Sequence, residues 1–256
     1  MIKINKFKSL LKKHYLDAYI IPKNDEFFGE YAFPNRLKTI SNFSGSAGFS
    51  IVTNDESYLF VDGRYLIQSK MESGKKFKIV EIPYTYPKNI LDFNKYKRIG
   101  YDPKLFTTST IRRYFGNKFQ LIPIKTNLVD KILLEKEKNE NLFFTIEDKF
   151  VGESVNSKID RLYRIIKKNK CDSIFISAPE NVAWLLNIRG KDNPNSPIPN
   201  SRIIISKNKN LYFFSDLKKI HNIRKKIIYK KIKFFSFEEF YEVLSKLDCK
   251  FFTIDE

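Results

Sequence analysis

The sequence predicts an α/β protein made of two similar domains, each a mixed sheet with flanking helices. Three observations carry this expectation. Short β-rich apolar runs alternate with stretches of helical spacing. Apolar residues make up 42% and aromatic residues 15% of the 256 positions, enough to bury sizeable cores. The outline of the first half also recurs in the second: Asp17 and Asp172 open similar strands 155 residues apart, and Asp62 and Asp216 close similar strands 154 apart.

Taken in order, Ile4, Phe7, Leu10 and Leu11 have the three-four spacing of an amphipathic helix, and Asp17–Pro22 reads as a buried strand ended by proline. Phe49–Thr53 and Tyr58–Val61 flank a polar tetrad and predict a hairpin. A short helix over Tyr65–Glu72 ends at Gly74, and Phe77–Ile82 forms the next strand. Arg98–Tyr101 and Phe119–Ile122 are strands around a helix at Thr108–Phe115. The charged, aperiodic stretch after Lys131 is expected to be a linker over residues 131–153, which gives a first domain at 1–130 and a second at 154–256. Helical spacing returns over Ser154–Lys170 through Ile159, Leu162, Tyr163 and Ile166. Asp172–Ile176 and Leu211–Phe214 follow as strands, and Phe251–Glu256 reads as a strand still inside a second domain that is incomplete at its C-terminus.

Composition excludes several classes. No apolar run reaches the roughly 18 residues of a membrane helix, and the N-terminus has no h-region of signal-peptide length. Cys171 and Cys249 are the only thiols and are expected to be buried and free, which fits a reducing cytoplasm. His14 and His221 have no ligand-spaced partners, so no metal site is expected. The net charge of +18 is the one extreme value, and ten Lys and Arg fall between Lys207 and Lys233 against the single Asp216. A solvated face is the favoured reading of that stretch. Nucleic-acid binding through 207–233 is the alternative, because a concentrated basic face attracts phosphate.

Ser44-Gly45-Ser46-Ala47-Gly48 lacks the Gly-Lys-Ser/Thr of a phosphate loop and the glycine pattern of a dinucleotide loop or a hydrolase elbow. A turn between elements is the expectation. Asp62-Gly63-Arg64-Tyr65 ends a strand, where Asp62 can cap the next turn and Arg64 can point outward to fork a carboxylate or be held by Asp62. Trp184 is either core or an interface aromatic.

Together, Ala18–Pro22, Glu30-Tyr31, Arg36, Ser41–Gly48, Phe60–Tyr65 and Asn127–Lys131 resemble the first domain of the Xaa-Pro aminopeptidase (aminopeptidase P) family of creatinase-like, pita-bread metallopeptidases. Ala183–Gly190, Asp192 and Asn195–Pro197 extend the match into the second half. Asn195-Ser-Pro197 stands where the family more often has His-Asn-Pro or Tyr-Asn-Pro.

The resemblance implies two creatinase N-terminal-like domains placed before a catalytic pita-bread domain. In that third domain two divalent metals, usually manganese, activate water against the bond preceding proline. The expectation is therefore a truncated or split member with no catalytic residues and no metal in this chain, inactive alone. It would shape access for peptides with proline at the second position and contribute to a homodimer or to pairing with a separate catalytic fragment. The family arginine that meets the bound peptide carries over to Arg64 as the one substrate-binding candidate.

Overall fold

Phe7 and Leu11 are fully buried on one stripe of the first helix, α1 (Ile2–Lys13), against alternate residues of a strand that follows at once, β1 (Ala18–Pro22). The computed structural model describes residues 2–29, 32–133, 141–227 and 229–254, so Glu30 and Tyr31 lie outside the described residues. The chain divides into two units, Met1–Glu137 and Lys138–Glu256.

In the first unit the chain continues through α2 (Arg36–Ser41), β2 (Phe49–Thr53), β3 (Ser57–Val61), α3 (Leu66–Ser73) and β4 (Lys78–Glu81). It ends with α4 (Pro87–Ile90), β5 (Arg98–Tyr101), α5 (Thr108–Phe115) and β6 (Gln120–Pro123). The six strands lie in the order β4-β3-β2-β1-β5-β6. β2 is antiparallel to β1 and β3, whereas β4, β5 and β6 join in parallel.

Every residue of β1 is buried because both faces of the sheet are covered. Tyr19 and Ile21 turn to a cluster with Phe7, Leu37, Val52 and Leu59; Ala18 and Ile20 turn to the opposite one with Phe49, Phe60, Ile99 and Phe115. Each large side chain buried this way stabilises the unit by about 1.5–3 kcal/mol before entropy is counted. α5 begins where expected because Thr107 accepts the Thr110 N–H at 3.2 Å.

The second unit holds β7 (Phe144–Thr145), α6 (Asp148–Val151), α7 (Val155–Lys168), β8 (Ser173–Ile176), α8 (Pro179–Leu186) and β9 (Ile188–Arg189). β10 (Ser201–Ser206), β11 (Leu211–Ser215), α9 (His221–Arg224), β12 (Ile232–Phe235), α10 (Phe240–Ser245) and β13 (Phe252–Ile254) complete it. Its main sheet runs β12-β11-β10-β8-β13, and β7 pairs with β9 alone. Strand for strand this repeats β4-β3-β2-β1-β5, with the same parallel and antiparallel joints. No counterpart of β6 is present among the described residues.

Three expectations change here. Of the stretch read as a linker, 134–140 lies outside the described residues, while 141–153 supplies β7, α6 and the fully buried Phe143, whose N–H donates to the Lys219 carbonyl at 2.8 Å. One buried aromatic anchors a segment whose charge pattern resembles solvent-facing loop. The short helix expected from Tyr65 is preceded by a 3-10 turn at Gly63–Tyr65. Cys171 and Cys249 are free, and half-buried instead of buried, because both lie on the loops that lead into β8 and β13. Among the described residues no helix is long and apolar enough to cross a membrane.

Candidate functional site

At the end of β3 the chain turns sharply, and Asp62 organises the turn. Its Oδ1 accepts the backbone N–H of Arg64 at 3.0 Å and the Arg64 Nε at 3.0 Å, while Oδ2 accepts Nη2 at 2.8 Å. The guanidinium also lies 5.2 Å from the centroid of the Tyr65 ring. The Arg64 side chain is 71% exposed, so it is a solvent-facing fork steadied on one side by a carboxylate. The same bonds hold the Asp62 carboxyl below the usual carboxylate range. Both halves of the sequence reading of Asp62-Gly-Arg-Tyr65, the cap and the local ion pair, are present.

The Ser44–Gly48 segment is a turn between α2 and β2, fastened to the same place. Ser46 Oγ and the Tyr65 hydroxyl are 2.7 Å apart, and the Phe43 ring meets Tyr65 edge-on at 5.6 Å. Glu72, on α3, accepts the Ser44 N–H and the Ser44 hydroxyl, both at 2.7 Å, and Gln68 joins them. Partial burial opposes ionisation of Glu72, but these donors outweigh it and keep its carboxyl below the ordinary value. Gly48 sits at φ +143°, a conformation open to glycine, and its carbonyl accepts the Lys23 N–H at 3.1 Å. A cleft of about 390 Å³ opens beside the turn, between Lys23, Phe28, Ser46, Phe49 and Tyr114. Sequence reasoning singled out the turn and the arginine; it did not find Glu72 or the Ser46–Tyr65 bond, which join residues 28 and 19 positions apart.

The other motif residues are framework. Arg36 forks Asp130 through Nε at 2.7 Å and Nη2 at 3.0 Å, tying α2 to the turn before Lys131. Asn127 is buried, donates to Asp102 Oδ2 and accepts the Val129 N–H, both at 3.0 Å. In the second unit Asn187 ends α8 in the left-handed region and donates to the Glu153 carbonyl at 3.2 Å. Asp192 is ion-paired with Lys219 in the interior and accepts the Asn200 N–H at 2.7 Å. In the Asn195–Pro197 loop, Pro197 accepts the Gly190 N–H at 3.2 Å.

Trp184 is 47% exposed, which rules out the core reading, and its ring covers the ammonium of Lys158 at 4.3 Å. Lys158 is a buried cation that sequence reasoning passed over. The signal was available, because a lysine at position 158 falls on the apolar stripe of Val155, Ile159 and Leu162.

The basic stretch 207–233 is divided among separate contacts. Lys207 pairs with Asp172, Lys209 with Asp160 and Lys219 with Asp192, while Arg224 lies over the Phe234 ring. No group of three or more His, Cys, Asp or Glu among the described residues is placed to hold a metal, and His14 and His221 fall in different units. The donor set of a dinuclear centre is not assembled among the described residues.

A tandem of mixed-sheet α/β domains with one shared strand order, the first carrying an exposed arginine braced at a strand end, defines the class of molecule. Residues 3–132 and again 135–256 match the creatinase/prolidase N-terminal domain family, and the chain belongs to that family. It is similar to Xaa-Pro aminopeptidase 1 of Dictyostelium discoideum, with 32% identity over 84% of this chain and 38% of the relative, and to a probable Xaa-Pro aminopeptidase P of Laccaria bicolor, with 32% identity over 77% and 33%. Among solved structures, the X-prolyl aminopeptidase of Caenorhabditis elegans, described as a cytosolic enzyme with a di-nuclear active site, superposes with a TM-score of 0.83 at 26% identity, over 95% of this chain and 43% of that one. The chain thus corresponds to the N-terminal region of Xaa-Pro aminopeptidases and spans well under half the length of these relatives.

Proposed function

We propose that this polypeptide is the non-catalytic N-terminal portion of a cytoplasmic Xaa-Pro aminopeptidase, with a first domain ending near residue 130. Its task is to govern access to an active site carried by a further domain. The observation that supports this reading best is the agreement of fold with the Caenorhabditis elegans enzyme over 95% of this chain. Peptides with proline at the second position are the substrates. Arg64 is the residue that meets them, because an exposed guanidinium steadied by Asp62 presents a planar fork suited to a carboxylate or carbonyl. The partner is a second copy or a separate catalytic portion, and the manganese pair belongs to that portion.

The purified chain with added manganese is expected to release no residue from an Xaa-Pro tripeptide. Mixed with the C-terminal region of the Dictyostelium relative, it should associate in size-exclusion chromatography and restore cleavage. In that assembly Arg64→Ala should raise KM about tenfold, the order of one charge-assisted contact. Cleavage by the isolated chain that follows it through every purification step would refute the reading, and so would failure to associate with the catalytic region.

A further inference from the structure

A second recess in the first unit lies away from Arg64 and its turn. Ile4, Asn5 and Lys8 of α1, the hairpin turn Asp55–Ser57 and the segment Gly74–Lys78 enclose a cleft of about 360 Å³. Four lysines reach it from two parts of the chain: Lys8 from α1, and Lys75, Lys76 and Lys78 from the segment that leads into β4. Two carboxylates line it as well, and both are already engaged. Glu56 takes the Lys78 ammonium and the Tyr58 hydroxyl, and Asp55 takes the Lys95 ammonium at 2.9 Å and, at 3.4 Å, the Tyr96 hydroxyl. Lys8 donates to the Asp55 carbonyl at 2.8 Å, a neutral acceptor, and forms no ion pair of its own among the described residues. Lys75 and Lys76 are exposed and make no ion pair or side-chain hydrogen bond among the described residues. Three positive charges therefore remain around one recess.

The floor supplies an independent observation. Ser57 is 5% exposed and lines the cleft, and its hydroxyl has no hydrogen-bond partner among the described residues. That hydroxyl opens into the cleft, so its partner is water or a ligand held there.

We propose that this cleft binds a compact multivalent oxyanion of the phosphate class. Its oxygens accept from Ser57 at the floor and from Lys8, Lys75 and Lys76 at the rim. Three cations around one recess match an ion of charge two or more better than a single carboxylate. A recess of about 360 Å³ has room for a small anion. Burial lowers the pKa of Lys8, with Asp55 and Glu56 opposing that shift, and a bound anion would raise it.

The test is calorimetric titration of the full chain with pyrophosphate in about 0.15 M salt, where exposed charges beyond roughly 8 Å are screened. Acetate serves as the monovalent control. Saturable binding of pyrophosphate and none of acetate is expected. The double variant Lys75→Ala/Lys76→Ala should weaken binding about tenfold with an unchanged melting temperature, since both side chains are exposed. Ser57→Ala should weaken it by a smaller factor. Lys225→Ala/Lys226→Ala, in the other unit, should leave it unchanged. Glycerol phosphate binding as tightly as pyrophosphate would point to a phosphate ester as the natural ligand, and binding of inorganic anions alone to the free ion. The proposal fails if pyrophosphate does not bind, if the Lys75/Lys76 variant binds as well as the parent, or if the Lys225/Lys226 variant loses as much, since that marks a general charge effect.

Discussion

Asp17 and Asp172 perform one task in two places. Each carboxylate accepts the N–H that opens the neighbouring parallel strand: Arg98 N donates to Asp17 Oδ2 at 2.8 Å, and Lys250 N and Phe251 N donate to Asp172 Oδ2 at 2.8 and 3.1 Å. Each aspartate then returns its own N–H, Asp17 to the Arg98 carbonyl and Asp172 to the Phe251 carbonyl, both at 2.9 Å. Asp62 and Asp216 match in the same manner, each accepting the amide two residues on at 3.0 Å. The doubled sequence pattern is therefore a doubled hydrogen-bonding scheme, since these carboxylates fix where strands begin and end.

The first prediction follows from Asp172. Lys207, 2.7 Å away, and the amides of Lys250 and Phe251 hold its carboxyl down at about 2. A carboxyl whose folded pKa is depressed contributes stability above the unfolded value, and that contribution is lost as pH falls through the folded one. The window runs from about pH 4 to about pH 2. Asp172→Asn should lower the melting temperature at neutral pH and flatten the acid limb of a melting-temperature series across that window. An acid limb as steep in the variant as in the parent would assign the effect to other carboxylates.

The first half of the fold was legible because its signals are local. The α1 stripe and the hairpin each complete within a few residues. β10 was not read as a strand because Ile203-Ile-Ile205 is buried on both faces and shows no alternation. The strand pair β7 and β9 is two residues on each side, too short for any period to appear. At the candidate site, Arg64 and Asp62 were readable as neighbours in sequence. Glu72 and Lys158 act across 28 and 29 residues, on Ser44 and Asn187, so only the tertiary fold could show their partners.

Gly48 tests whether the Ser44–Gly48 turn needs glycine for its backbone. Its φ is +143°, and a Cβ built there would lie 2.7 Å from the Phe60 carbonyl oxygen. Gly48→Ala combines an unfavourable backbone region with a contact the sheet cannot relieve, and should cost about 1–3 kcal/mol. Urea denaturation measures it, and a loss below the error of the extrapolation would show that the turn can relax.

Asp192 and Lys219 form an ion pair with side chains 3% and 12% exposed. Removing one partner leaves the other charge buried, so Asp192→Ala should destabilise the second unit by about 3–5 kcal/mol. Lys219→Met should cost a comparable amount. The double variant Asp192→Leu/Lys219→Met should cost less than the two single effects together, as a double-mutant cycle in denaturant will show. Strict additivity would mean that the two charges do not depend on each other.

Lys158 presents the opposite arrangement, a buried cation hydrogen-bonded to neutral oxygens. Its ammonium donates to the Trp184 carbonyl and to Asn187 Oδ1, each at 2.6 Å, beneath the Trp184 ring. These bonds satisfy the end of α8. Burial lowers the Lys158 pKa, Arg189 and Arg161 lower it further, and Glu153 opposes them. Because the folded pKa lies below the unfolded one, the unfolded chain binds more protons in that interval and stability should rise with pH through it. Lys158→Met removes the titrating group and abolishes that rise. At neutral pH the variant should lose about 1–3 kcal/mol, because Asn187 Oδ1 loses its donor and the Trp184 carbonyl is left with the Asn187 N–H, at 3.4 Å. Trp184 is the only tryptophan in the chain, so its fluorescence reports the change directly. Its emission should shift with pH in the parent, as the ammonium against its ring deprotonates, and stay constant in Lys158→Met; an identical shift in both proteins would place the titrating group elsewhere.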